Sequence, residues 1–285
     1  MEHRKLTRYL ISLVMILIMV GLAEWTNEKE ILFPEMTALI IGLLIIDKRV
    51  WNVKRWQIIL LMTLGAAVGI CIVRYSPLPY VVNLCAAFAF AGASLLISRA
   101  TLIPLISACV LPVLLHTESI VYPIAVFSMS VSVVLVQIIL EKCGIRNRMP
   151  KTVGRKPGKE DIIRWLILFC FVGALAELAV GMDYPYIILP PLMVTFVEMV
   201  NSKAGFRNRP TQVFLFLTTA ATLGTVLQIV GHHHLHLPES IVALTITAIL
   251  FLIFEWTGKY FAPAGALAFI PMLLPKENLG WLPLE

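Results

Sequence analysis

The chain has 285 residues, 59% hydrophobic and 14% charged, with a mean hydropathy of +0.88. Apolar segments of that number and length exceed what one soluble core can take in, which excludes an ordinary soluble domain and makes lipid the expected solvent. The net charge of +6 and pI near 9.1 would raise nucleic acid as a partner for a soluble protein; here the basic residues lie between apolar runs, the positive-inside pattern, and no nucleic-acid partner is expected.

Runs of about 15 to 20 apolar residues predict spanning helices. They fall at about 8 to 25, 31 to 47, 57 to 74, 80 to 98, 101 to 115 and 119 to 141, and, after the basic loop KCGIRNRMPKTVGRKPGKED, at about 163 to 181, 186 to 200, 213 to 230, 238 to 256 and 260 to 275. That makes eleven spans in an all-α bundle. The basic start and apolar run of MEHRKLTRYLISLVMILIMVGLAEW could open a secretory leader. No small-x-small cleavage pattern closes it, however, and the segment has a later copy, so it is read as helix 1. On this layout 20 Lys and Arg residues share the side of the N-terminus, and Lys29, Arg74 and Lys276 stand on the other. The split predicts an inner-membrane protein with a cytoplasmic N-terminus and an external C-terminus. Trp25, Trp51, Trp56, Trp165, Trp256 and Trp281 fall at predicted helix ends, where amphipathic rings favour the interface.

Self-comparison organises the chain. Arg8-Tyr-Leu-Ile matches Arg164-Trp-Leu-Ile, and at the same offset of 156 ILFP ending at Pro34 matches IILP ending at Pro190. TLGAAVG, from Thr63 to Gly69, matches TTAATLG, from Thr218 to Gly224. At an offset of 159, IPLISACVLPVLL matches the run that contains PAGALAFIP, pairing Pro104 with Pro263 and Pro112 with Pro271, with seven residues between the two prolines of each copy. These matches predict two five-helix repeats, 1–116 and 161–285, joined by a helix and basic loop over 117–160. Five helices plus one connector is an even number of crossings, so the repeats are expected to run parallel.

Two prolines in so short a segment predict a kinked or interrupted helix, and broken helices at matching places are where many transporters hold their solute. Pro104, Ser107, Pro263, Gly265, Thr37 and Thr195 are therefore the expected solute-binding residues. Glu177, deep in helix 7, and Glu35, beside Pro34 at the start of helix 2, are the expected proton or polarity elements, since a carboxylate in hydrocarbon needs water or a protein partner. Amides at a helix start favour anions. The alternative for Glu35 is a cap on the positive helix end, and for the proline segments a kink that only shapes packing. Glu198 and Glu255 are expected to be solvated at cytoplasmic ends, and Asp47, Lys48 and Arg49 to form a cytoplasmic rim. Gly65, Ala66, Ala67 and Gly69, and Ala86, Ala87, Ala89, Ala91, Gly92 and Ala93, suit close helix packing. The five cysteines have no metal or redox spacing and are read as buried small hydrophobes. His232, His233, His234 and His236 are read as an external loop without a specific metal. No Walker, Rossmann, HExxH or GxSxG pattern occurs, so no enzyme, cofactor or metal site is expected.

FAPAGALAFIP, LPPLMVTFVEMV, KAGFRNRPTQ and TTAATLG together resemble the HPP family of membrane proteins, with Asn208-Arg209-Pro210 and Pro263-Ala264-Gly265-Ala266 as matching pieces. Ala262 stands near where the name-giving prolines would begin, and no His precedes it. ILFPEMTALIIGLLI, followed by a basic turn and TLGAAVG, is similar to fusaric acid resistance-like and aromatic acid exporters. These resemblances imply nitrite or organic-anion transport, with a small ion or molecule and the lipid bilayer as partners and a second copy of the chain as a candidate one. A non-transporting scaffold or partner subunit is the alternative.

Overall fold

A computed structural model describes residues 2–148, 156–201, 208–280 and 282–283. The middle of the basic loop, the Lys203-Ala204-Gly205-Phe206 part of the HPP-like motif and Trp281 lie outside the described residues. Among those described there are only helices, turns and extended connections: α1 (Glu2–Thr26), α2 (Pro34–Ile40), α3 (Arg55–Tyr75), α4 (Tyr80–Ser98), α5 (Leu105–Leu115), α6 (Val121–Lys142), α7 (Lys159–Gly181), α8 (Pro190–Asn201), α9 (Pro210–Leu227), α10 (Glu239–Thr257) and α11 (Ala262–Leu267). Two π-helical segments extend α2 over Ile41–Ile45 and α9 over Gln228–His234.

The helices fall into two kinds. Seven (α1, α3, α4, α6, α7, α9 with its π extension, and α10) are long and apolar enough to cross a membrane, and only 22–39% of each apolar window is buried. Their outer faces carry residues such as Ile18, Leu135, Ile167, Phe214 and Leu252, each more than half exposed. So much apolar surface on long helices is stable against lipid rather than water, which makes this a membrane-embedded protein. The other four, α2, α5, α8 and α11, are short: every residue of α2, its π extension and α11 is inside, as is α5 from Leu105 to Leu114, and α8 buries one face. The eleven residues of α5 amount to about 17 Å of helix, well short of a hydrocarbon core of about 30 Å.

Proline sets where the short helices begin. Pro34 and Pro190 are first helical residues, Pro263 follows Ala262 at the start of α11, and Pro104 is the residue before α5. A missing N–H is harmless there because the first amides have no intrahelical acceptor anyway. The second proline of each matched pair behaves differently. Pro112 lies within a continuous α5, and the carbonyl it leaves without a partner four residues back, on Ala108, accepts the Tyr122 hydroxyl at 3.2 Å. Before Pro271 the chain instead leaves α11 at Leu267 and re-forms as a 3₁₀ turn over Ile270–Met272. The expected interruption is therefore present at one pair, whereas a tyrosine heals the other.

The chain divides into two compact units, each assembled from distant segments. Unit 1 comprises Met1–Val50, Ser132–Met149 and Ser202–Glu285, and unit 2 comprises Trp51–Val131 and Pro150–Asn201. In unit 1, α1 packs on α10, α2 on α11, and α9 on both α10 and α11. In unit 2, α7 packs on α4, α8 on α5, and α3 on both α4 and α5. Each unit therefore combines the first two helices of one sequence half with the last three of the other.

Glycine governs the closest approaches. A Cβ on Gly69 would strike the Cys109 carbonyl oxygen of α5, and one on Gly224 would strike the Ala268 carbonyl oxygen just past α11. Both partners are backbone, so neither can yield. Across α4 and α7, Gly92 takes the Trp165 ring, which would lie 2.7 Å from a Cβ there.

Candidate functional site

The predicted residues gather on the two buried short-helix pairs. In unit 1, Glu35 occupies the first turn of α2 and is 1% exposed. A carboxylate there faces the positive end of the helix. Two residues on, Thr37 is fully buried and its Oγ1 has no hydrogen-bond partner. Its methyl side meets α11 at Gly265, where an added Cβ would lie 3.2 Å from Thr37 Cγ2 and still closer to Ile41 Cδ1. Pro263 starts the same helix. The pair therefore holds a hydroxyl at a glycine crossing and, on another face of α2, a buried carboxylate.

In unit 2 the corresponding pair is α5 and α8. Ser107 is fully buried, Pro104 heads α5, and Thr195, 4% exposed, donates to the Pro191 carbonyl of its own helix at 2.8 Å. At the α2 offset, Glu35 and Thr37 align with Pro191 and Met193. The carboxylate and hydroxyl of the first pair thus have no counterparts at the aligned places of the second. Glu177 belongs to neither: it is exposed on α7.

The polar rims depart from expectation in several places. Glu198 is half-buried rather than freely solvated, and accepts the indole N–H of Trp51, itself 4% exposed, at 3.0 Å. Trp51 and Trp165 thus pack inside unit 2, while Trp25, Trp56 and Trp256 remain exposed at helix ends. Glu255 is exposed, yet it accepts Lys5 Nζ at 2.6 Å, Tyr260 Oη at 2.7 Å and the Tyr9 hydroxyl, which ties α1 to α10. Of the cysteines, Cys109 is buried whereas Cys71, Cys143 and Cys170 are exposed. His232, His233 and His234 belong to the π extension of α9 rather than to a loop; His232 Nδ1 lies 3.0 Å from the Leu237 carbonyl oxygen and its Nε2 3.8 Å from Glu239.

Arg8 was recognised in the sequence only as half of a repeat match. In the structure it is 6% exposed and caps the carbonyl end of the π segment: Nε donates to Leu44 O at 2.7 Å, Nη2 to Ile45 O, and Nη1 to Asp47 at 2.6 Å. Its match Arg164 instead pairs along its own helix with Asp161 at 3.5 Å. Other groups invisible to pattern reading are Thr225 and Gln228 on the α9 segment, both buried, with Oγ1 and Oε1 that lack hydrogen-bond partners. A hydroxyl and an amide inside so apolar a run were the available signal. An apolar groove of about 390 Å³ in unit 2, between α7 and α8, is lined by Ile163, Ile167, Phe171, Phe196 and Val200. It contains none of the predicted site residues. Comparison with protein-family models, curated proteins and solved structures gives no match.

Proposed function

We propose that the chain is a membrane transporter or channel for a small solute, an anion of the nitrite or small-carboxylate kind rather than a cation. The observation that carries this reading is the α2–α11 pair: Thr37 is buried at the Gly265 crossing and Glu35 is buried two residues before it, on helices too short to cross a bilayer. Irregular, polar backbone at membrane depth is tolerated where protein or a solute path surrounds it. Each short pair takes one helix from each sequence half, so a path along it runs where the proposed repeats meet. The proposed duplication into two parallel copies of five helices draws support from the matched carbonyl contacts of Gly69 and Gly224; an inner-membrane placement with the N-terminus cytoplasmic and the C-terminus external is proposed on the split of Lys and Arg between the connections. The resemblance to HPP proteins and aromatic acid exporters points the same way. Pro104, Ser107 and Thr195 would line the equivalent path in unit 2, and Glu35 is the proton or polarity element that the geometry favours over Glu177.

Flux of nitrite, nitrate and small carboxylates into proteoliposomes tests the proposal. At least one should enter, Glu35→Gln should slow it, and Glu177→Gln should not. A folded, reconstituted protein that moves none of them overturns the reading. The alternative, a non-transporting scaffold or partner subunit, is favoured by one feature: the α2–α11 crossing is closed, with Ile41 pressed on Gly265.

A further inference from the structure

We propose that Arg146, beside Arg8 at the carbonyl end of α2 and its π extension, binds a phosphate oxyanion. Arg146 follows α6 in a turn with Gly144 at φ 68°, which directs the chain back over that helix, the Arg146 amide bonding to Leu140 O at 3.1 Å. The side chain is 3% exposed, and Nη2 donates to Ile46 O at 2.9 Å. Its Nε and Nη1 are buried without a hydrogen-bond partner. Guanidinium donors removed from water without an acceptor are costly, and a second cation nearby makes the need for an acceptor greater.

The neighbours do not meet that need. Arg8 spends its donors on Leu44 O, Ile45 O and Asp47. The Asp47 side chain is 66% exposed and holds Arg8 rather than Arg146. Glu141, 8% exposed, accepts from Gln137 Nε2 at 3.1 Å and does not reach Arg146 Nε or Nη1. Burial, and then the Arg8 charge, lower the Arg146 pKa to about 10 against the opposing pull of Asp47 and Glu141. The guanidinium is thus charged at any physiological pH. Lys48, Arg49, Lys142 and Arg148 outnumber the two carboxylates along these segments, so the local field favours an anion. Phosphate oxygens suit the donors of a guanidinium, and either a lipid headgroup at this helix end or free phosphate could supply them. Asp47, the exposed member, is the group an entering phosphate would displace from Arg8. None of this depends on whether the chain transports a solute.

The experiment is thermal unfolding of the purified full chain in a phosphate-free maltoside detergent, with inorganic phosphate compared with chloride at equal ionic strength. A parallel arm uses nanodiscs of phosphatidylcholine with and without phosphatidylglycerol. A tenfold excess over Kd should raise the midpoint by about 3–5 °C in at least one arm. Arg146→Gln should abolish the rise, Arg146→Lys should reduce it, and Asp47→Asn should enlarge it. A rise with free phosphate assigns a soluble ligand, and one only with phosphatidylglycerol assigns a headgroup. No rise in either arm, as when water alone satisfies the donors, overturns the proposal. So does a rise that survives Arg146→Gln; should that variant not fold, a full rise in Arg146→Lys does the same.

Discussion

The α2–α11 and α5–α8 pairs are built alike and equipped differently. Both join a proline-started helix from one sequence half to another from the other half, and both are packed by a long glycine-bearing helix, α9 or α3. The α2–α11 pair holds Glu35 and the unbonded hydroxyl of Thr37; at the aligned places α8 has Pro191 and Met193, and its Thr195 is bonded to its own backbone. Like Thr37, Ser12, Thr225 and Gln228 in unit 1 hold buried polar atoms without a hydrogen-bond partner, whereas Ser130 is the one such residue described in unit 2. A shared frame thus fixes where the short helices go. What they do is decided by a few side chains, and these concentrate in unit 1.

The sharpest way to break this comparison is at the frame. Gly224→Ala and Gly69→Ala each press a methyl into a backbone carbonyl and should destabilise by about 2–3 kcal/mol, whereas Gly21→Ala, with open space around it, should not; chemical or thermal unfolding in detergent reads all three. If only one of the first two is harmful, the pairs do not share a frame. Gly265→Ala should be milder than either, because Ile41 can swing its terminal methyl aside. At the level of equipment, Glu35→Gln should lower solute flux about tenfold, a loss of about 1.4 kcal/mol, while Pro191→Ala leaves flux alone. Tyr122→Phe strands the Ala108 carbonyl and should cost about 1 kcal/mol, with no counterpart at Pro271. The smallest effects separate two threonines. Thr37→Val should stabilise by up to about 1 kcal/mol while impairing flux, because a buried hydroxyl without a partner is replaced by an isostere. Thr195→Val should lose about 0.5 kcal/mol and little flux.

Much of this frame could be read from the chain. Apolar runs located all eleven helices, and self-comparison paired Gly69 with Gly224, which meet matching backbone carbonyls in the fold, and Pro112 with Pro271, which do not share a local structure. Hydropathy could not distinguish a helix that crosses lipid from one enclosed by protein, because IPLISACVLPVLL and a lipid-facing run are equally apolar. Nor could it anticipate that α2 pairs with α11, since which helices pack together depends on shape rather than on polarity. Thr37 and Glu35 were visible as polar residues in an apolar run. Arg146 was not, because arginines in a basic loop look alike until one of them is buried.

The segment exchange has a consequence for biogenesis. Unit 1 needs α1 and α2 from the beginning of the chain and α9 to α11 from its end, so the ribosome releases its first helices long before their partners exist. During that interval Glu35 and Thr37 must wait in the translocon, in lipid or against a chaperone. A nascent chain halted after α8 could complete unit 2 but not unit 1, and quality-control proteases should recognise it by those two stranded residues.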